Sequence, residues 1–418
     1  MIYRALNSGK YKSLEACAKY PFTAEQAQDA AEVVACAGLL HDIGNPPFGH
    51  FGEDVVHAWF ENHLSELSYV DQQTGETVDL LHGAPREIAE DLKHFEGNAQ
   101  AFRLLTKLHH VDSERGLNLT AAVLNTLVKY PTDSLHIKPK DPNVCLHKLG
   151  CYDADQADFR DVTEKTGTFF DGEHHRHPLT FILEAADDIA YATADLEDSF
   201  KKGLFTLDEF TGYFSGMVKA AFPREREKDA DPGQYLYQLI EELDGFRKSA
   251  ETPLQAFQCW INHVRHWLIY CAAYGFTVHY AEIMEGRFQS ELIGGTFHEQ
   301  TMAILKAAMG RYSYPAPGVL KLELAAETIL EGLLERFVPA AIDTLDGEVA
   351  SASRLTKRKA EKKLMTLVPE NLKAAYFRGK RAGDRTYNLY LRVLMIADFV
   401  SDMTDGFAKG LYQELSGF

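Results

Sequence analysis

Strand-like alternation is scarce in this 418-residue chain, no apolar run is long, and the six cysteines form no CxxC pair. Each absence excludes something. The best apolar run, around Trp267–Phe276, is far short of the roughly 18 residues that a membrane span needs. Residues 1–30 hold no apolar core followed by a small-residue cleavage site, so secretion is not expected. Cys17, Cys36, Cys145, Cys151, Cys259 and Cys271 are too scattered for a disulfide framework, and they read as reduced, buried thiols of a cytoplasmic protein. Positive charge is also short: 43 Lys and Arg stand against 61 Asp and Glu, a net charge of −18. That balance excludes a general nucleic-acid coat protein. It leaves room for a polyanionic substrate, because a local pocket of metal and lysine outweighs screened distant charge.

What is present is helical patterning. Ala24–Leu40, Glu53–Leu64, Ala89–Leu108, Leu119–Tyr130, Leu179–Phe200 and Leu207–Ala221 repeat apolar residues at three and four. Tyr235–Arg247, Leu254–Tyr274, Thr301–Met309, Leu320–Glu335, Ala360–Leu367 and Tyr387–Gln413 do the same. One hairpin is expected over Leu67–Leu81, turning at Thr74-Gly75 between Ser68-Tyr69-Val70 and Thr77-Val78. Pro131–Pro178 has weak periodicity and reads as a long loop over a site, and the polar stretch Pro223–Gly233 reads as a surface connection. The class expected is all-α, with a C-terminal helical half as a semi-independent lobe and at most a small β-hairpin.

The most informative stretch is Leu39-Leu40-His41-Asp42-Ile43-Gly44-Asn45-Pro46-Pro47-Phe48-Gly49-His50-Phe51-Gly52-Glu53. It follows the near-continuous apolar run Val33–Leu40, expected as a fully buried helix. A His-Asp pair at the end of such a helix is costly unless the charges are paired or coordinate something. Imidazole beside carboxylate suits a divalent ion, while a plain helix end before Gly44 is the structural alternative. The loop that follows is stiffened by two prolines and delivers His50 and Glu53 three residues apart. A carboxylate that orients an imidazole and tunes its pKa is a common acid–base arrangement.

These residues resemble the signature of the deoxyguanosinetriphosphate triphosphohydrolase branch of the HD superfamily. Three further segments agree, in family order: His94-Phe95-Glu96-Gly97-Asn98-Ala99-Gln100, the run Glu184–Asp198, and Ser401-Asp402-Met403-Thr404-Asp405. The resemblance implies an HD-domain helical fold, with residues 1–210 as the metal-dependent phosphohydrolase core and 211–418 as the helical C-terminal part of the same domain. It implies a divalent ion, Mn²⁺ or Mg²⁺, held by His41, Asp42 and the distal Asp187. Asp188 points about 100° away on a helix. Asp187, Tyr191 and Asp195 fall at i, i+4 and i+8, one helix face, with Ile189, Ala190 and Ala194 on faces that pack. Tyr191 matches a tyrosine packed on the deoxyribose, and Asp195 a polar contact to sugar or phosphates. Lys129-Tyr130, at the end of its helix, resembles a phosphate-side pair, with Lys148 as a second ammonium. Lysines there also complement a helix dipole. His94 and Asn98 are read on one helical face flanking the pocket, and Glu323 aligns loosely with a base-recognition position. His174, His175 and His177 read as an exposed loop, not as metal ligands.

The chain departs from the family pattern in one respect. The family's fourth ligand is an upstream histidine in an Arg-x-x-His-Ser motif, and no histidine precedes His41. Met1-Ile2-Tyr3-Arg4-Ala5-Leu6 resembles the continuation of that helix, so a misassigned start or a truncated chain is expected, a genuinely shortened protein being the alternative. A three-ligand site binds metal more weakly. The expectation is a fold that survives, a partly filled metal site and impaired activity.

The function expected from the resemblance is metal-dependent hydrolysis of dGTP, or another dNTP, to deoxynucleoside and inorganic triphosphate. His50, steered by Glu53, would transfer the proton. The alternatives are an HD phosphohydrolase with another nucleotide substrate and a non-catalytic, nucleotide-binding HD protein. The resemblance implies homo-oligomers, commonly hexamers. Single-stranded DNA is a partner of some relatives, but no basic stripe with interleaved aromatics supports it here.

Overall fold

A computed structural model describes residues 1–8, 13–71, 74–80, 85–109, 115–223, 232–344 and 355–417. The chain divides into two compact units, each built from two segments: residues 1–34 with 178–321, and residues 35–177 with 322–418. Leu6 joins the buried core of the first unit from its N-terminal segment, and residues 329–411 share the core of the second with residues 55–152.

The first unit is all helix. It packs Leu207–Ala221, Pro232–Ser249, Pro253–Val278 and Glu299–Tyr312 around Phe210, Phe214, Phe257 and Trp260, which meet edge-to-face. Local rules set the helix starts. Thr206 caps the first of these helices through Glu209 N–H while the Glu209 side chain returns to Thr206 N–H, a reciprocal pair that satisfies two orphan donors. Thr252 caps the third with Pro253 in its first turn, where a missing N–H costs nothing. Pro178–Ala190 runs into a π-helical turn at Tyr191–Asp195 and then Leu196–Lys201.

The second unit surrounds Arg385–Ser401, a helix buried at every position from Tyr387 to Ser401 and therefore apolar nearly all round. Against it lie Arg86–Lys93, Glu370–Gly379 and the strand Thr77–Asp79. Ser68–Val70 pairs antiparallel with Thr77–Asp79, the expected hairpin, with Gly75 at φ 70° in the turn. A second two-residue pairing joins Phe169–Phe170 to Glu173–His174. The fold is all-α with these two small strand pairs.

Several expectations require correction. Ala89–Leu108 is not one helix: Arg86–Lys93 stops at His94, and Gly97–Arg103 begins after the extended Glu96. His94 and Asn98 therefore lie on different helices, not on one face. Tyr387–Gln413 likewise breaks at Asp402–Thr404. Pro131–Pro178 is not an irregular loop throughout, since Gln156–Thr166 is helical and ends at Gly167 in the left-handed conformation. Ala24–Leu40 forms with the expected bounds, but Ala37 alone among its residues is buried and Leu39 is 88% exposed. Its apolar pattern reflects the helix-forming strength of alanine more than burial. The polar stretch Pro223–Gly233 falls largely on 224–231, outside the described residues.

Candidate active site

The HD motif sits in the second unit, where the Ala24–Leu40 helix ends. His41 Nδ1 lies 2.8 Å from the Gly38 carbonyl oxygen, which can only accept, so Nδ1 carries a proton. The other ring nitrogen, Nε2, lies 3.3 Å from Asp42 Oδ2. Asn45 Nδ2 donates to Asp42 Oδ1 at 2.9 Å and fixes the other oxygen. Two donor atoms about 3 Å apart span one edge of the octahedral shell of a small divalent ion, whose bonds are about 2.1 Å. A ligating histidine whose second nitrogen is anchored on a carbonyl is the usual supporting arrangement. The pair therefore fits a metal as two adjacent ligands. Among the described residues, no group of three or more His, Cys, Asp or Glu side chains is disposed to hold an ion.

The loop after His41-Asp42 is locked from both sides. A methyl group on Gly44 would overlap the Gly97 carbonyl oxygen and the Ala101 backbone nitrogen, and one on Gly97 would overlap Glu53 Oε1 and Asn45 Oδ1. Two of the four sequence segments thus interlock through glycines that permit backbone contact. The Ser401–Asp405 segment supplies a third brace. Phe48 takes φ 68°, a left-handed conformation costly for a residue with a side chain, and its N–H donates to Asp405 Oδ1 at 2.9 Å. Phe48 caps the Gly49–His63 helix, so Asp405 helps to hold the turn that launches His50 and Glu53.

His50 and Glu53 then diverge. His50 is exposed in the first helical turn, whereas Glu53 is buried. Glu53 Oε1 accepts the Gly97 N–H at 2.8 Å, and Oε2 lies 3.8 Å from Lys148 Nζ. Neither a hydrogen bond nor an ion pair joins Glu53 to His50, so direct steering of the ring by the carboxylate is absent. Lys148 Nζ is 2.9 Å from Glu96 Oε2, and Asn98 Nδ2 donates to Glu96 Oε1 at 2.7 Å. Burial, with the Glu96 carboxylate second, pushes Glu53 up to about 7 against the opposing pull of Lys148. Burial pulls Lys148 down, but the carboxylates of Glu96 and Glu53 outweigh it and the ammonium is held above its ordinary value. The sequence signal for Glu96 is an acidic residue just ahead of a helix-starting glycine in the His94–Gln100 segment.

Lys129 and Tyr130 lie past Leu127, the last residue of their helix, so a dipole role in its final turn does not apply. Arg176 Nε donates to the Lys129 carbonyl at 2.7 Å, and its guanidinium sits 5.8 Å from the Tyr130 ring centre. The neighbouring histidines are not an exposed loop. His174 packs between Phe159 and Phe169, His175 stacks on Phe170 at 3.8 Å, and burial holds His177 down to about 4. His174 and His175 thus pack on the small strand pair, while His177 Nδ1 lies 3.3 Å from Thr126 Oγ1.

The remaining candidates are in the first unit. Asp187 lies in the last turn of Pro178–Ala190, with Asp188 ion-paired to Lys306 at 2.9 Å. Tyr191 opens the π turn and is exposed, and Asp195 closes it. Burial and the carboxylates of Asp198 and Asp187 raise Asp195. A π turn alters the i+4 spacing assumed from sequence and is frequent where a helix lines a functional site. Ile189 is buried as expected, but Ala190 and Ala194 are exposed. Glu323 is half-buried on Pro317–Thr344 in the second unit.

A helical fold that ends a helix on a metal-ready His-Asp pair, braced by the loop that follows, defines an HD-domain hydrolase, and the HD domain family matches residues 13–149. The chain is 36% identical over 397 residues, 95% of its length, to a deoxyguanosinetriphosphate triphosphohydrolase-like protein of Listeria monocytogenes serovar 1/2a, of which it covers 80%. It is 31% identical over 394 residues to a like-named protein of Pseudomonas aeruginosa strain LESB58, covering 93% of this chain and 78% of that one. The deoxyguanosinetriphosphate triphosphohydrolase of Yersinia pestis strain Pestoides F is 30% identical over 411 residues, at 92% and 78% coverage. The chain belongs to the deoxyguanosinetriphosphate triphosphohydrolase family of HD-domain proteins. No helix among its described residues is long and apolar enough to cross a membrane.

Proposed function

We propose that this protein hydrolyses dGTP to deoxyguanosine and inorganic triphosphate, using a divalent ion, Mn²⁺ or Mg²⁺, held by His41, Asp42 and Asp187. The observation that carries the reading is the His41-Asp42 pair, whose Nε2 and carboxylate oxygen stand 3.3 Å apart with the opposite ring nitrogen anchored on Gly38. When bound, the ion supplies Lewis-acid polarisation of a phosphate oxygen and a more acidic water. The protein's own groups do the rest. His50, presented to solvent by the braced turn at Phe48, moves the proton, and Glu53 lies one helical turn behind it. Lys129 and Tyr130 face the triphosphate, and Lys148 adds positive charge beside Glu53. Tyr191 packs its exposed ring on the deoxyribose, where a 2′-hydroxyl would be crowded, and Asp195 hydrogen-bonds the sugar or phosphates. We assign the protein to the cytoplasm, as a homo-oligomer.

The test is chromatography of products after incubation of the chain with dGTP and Mn²⁺. Deoxyguanosine with intact triphosphate is expected. Formation of dGDP or dGMP would place cleavage at another bond and overturn the reading. Binding of dGTP without turnover would do the same, in favour of a nucleotide-binding role.

A further inference from the structure

Glu53 and Glu96 come from different helices, yet both carboxylates are buried beside a single ammonium. The side chains of Glu53 and Glu96 are each 9% exposed, and that of Lys148 is 40% exposed. The ammonium is closer to Glu96, at 2.9 Å, than to Glu53, at 3.8 Å. Each carboxylate has one further anchor, the Gly97 N–H for Glu53 and the Asn98 amide for Glu96. Two ionised carboxylates and one ammonium in a water-poor site leave one negative charge uncompensated. Buried carboxylates that share a site resist ionising together. The fixed backbone on both sides, through Gly44 and Gly97, prevents the two acids from moving apart.

We propose that Glu96 and Lys148 are positioning residues that set the protonation state of the Glu53 carboxyl: Glu96 keeps a proton on it, and Lys148 draws that proton off. Glu96 acts through Lys148 as well as directly, because it holds the ammonium at its own oxygen and limits what reaches Glu53. The charged groups that face Glu53 are Glu96 from the start of the 97–103 helix, Lys148 from the 144–150 segment and Asp54 from its own helix. His57, one turn further along, is lowered chiefly by burial and then by the His94 ring, with Glu96 among the charges opposing that. The consequence for turnover rests on the proposed hydrolase function; the effect on Glu53 itself does not.

The experiment reads the Glu53 carboxyl directly. The chain is labelled with 13C at the glutamate side-chain carboxyl, the Glu53 resonance is assigned by its loss in Glu53→Gln, and its midpoint is followed against pH. Glu96→Gln is expected to lower the midpoint and Lys148→Met to raise it, each by roughly one to three units. Lys148→Arg should restore the wild-type midpoint to within about half a unit, since the charge returns. Where turnover of dGTP is present, the acid limb of its pH–rate profile should move in the same two directions. A midpoint unmoved by Glu96→Gln, or moved in the same direction by both variants, would overturn the proposal, because loss of packing alone has no reason to produce opposite signs. If Lys148→Met does not fold, Glu96→Asp and Lys148→Arg supply the comparison: each keeps its charge and must keep the midpoint near wild type while Glu96→Gln lowers it. An absence of turnover in the wild type would remove the proposed function without touching this titration.

Discussion

Two ionic clusters in the second unit use the same kinds of residue to opposite ends. Around Arg103, the guanidinium reaches Asp398 through Nε at 2.8 Å and Nη2 at 2.9 Å, and Asp155 through Nη1 at 3.1 Å. Lys107 Nζ adds a second cation 2.8 Å from Asp155, and Gln100 donates to Asp398 at 2.9 Å. Two buried carboxylates there meet two cations, so the charges of the cluster balance. Around Glu53, two buried carboxylates meet one lysine. The Arg103 cluster is a closed ionic joint between a helix read as part of the HD core and the C-terminal helix Arg385–Ser401; the Glu53 cluster has one cation fewer, and Glu53 is pushed up to about 7. Burial raises the carboxyl in both clusters, at Glu53 and at Asp398; what differs is the number of cations set against it.

The largest expected effect breaks the closed cluster. Arg103→Met leaves Asp398 buried without its cation and Asp155 with Lys107 alone, and should destabilise the protein by about 3–5 kcal/mol, measured as a shift in the urea midpoint. Glu53→Gln should instead cost chemistry, with dGTP turnover down by about 10²-fold or more. The same variant sharpens the comparison through stability. Glu53 rises on folding from 4.5 to about 7, so its folded form favours the proton. Its contribution is complete below the unfolded value and is lost as pH rises through about 7. At about 1.4 kcal/mol per unit, wild type should lose roughly 3.5 kcal/mol across that window, and Glu53→Gln should flatten this part of the stability–pH curve. Arg103→Met should leave that slope in place. The smallest effect concerns the brace: Asp405→Ala should cost about 1 kcal/mol, as the left-handed Phe48 loses its anchor. It should lower turnover more than Tm if the turn positions His50.

Legibility in the sequence followed the range of the interactions involved. Leu207–Ala221 was readable to the residue because its Thr206–Glu209 capping box is local. The hairpin was readable because Thr74-Gly75 stands between alternating runs. Ala89–Leu108 misled because its apolar period continues across His94-Phe95-Glu96, where the backbone turns to bring Glu96 and Gly97 against Glu53 and Asn45. His174 and His175 read as loop residues because their aromatic partners are cross-strand or on a separate helix.

His41-Asp42, the helix that leads to them and the spacing of His50 to Glu53 follow from the sequence alone, because adjacency and helical rise are properties of a few consecutive residues. That Lys148 closes on Glu96, 52 residues earlier, and that Asp405 holds Phe48 from 357 residues away, were decided only by the tertiary structure. Such pairs form where packing brings their backbones together, and the burial that comes with it turns an ordinary carboxyl into one that holds its proton near neutrality.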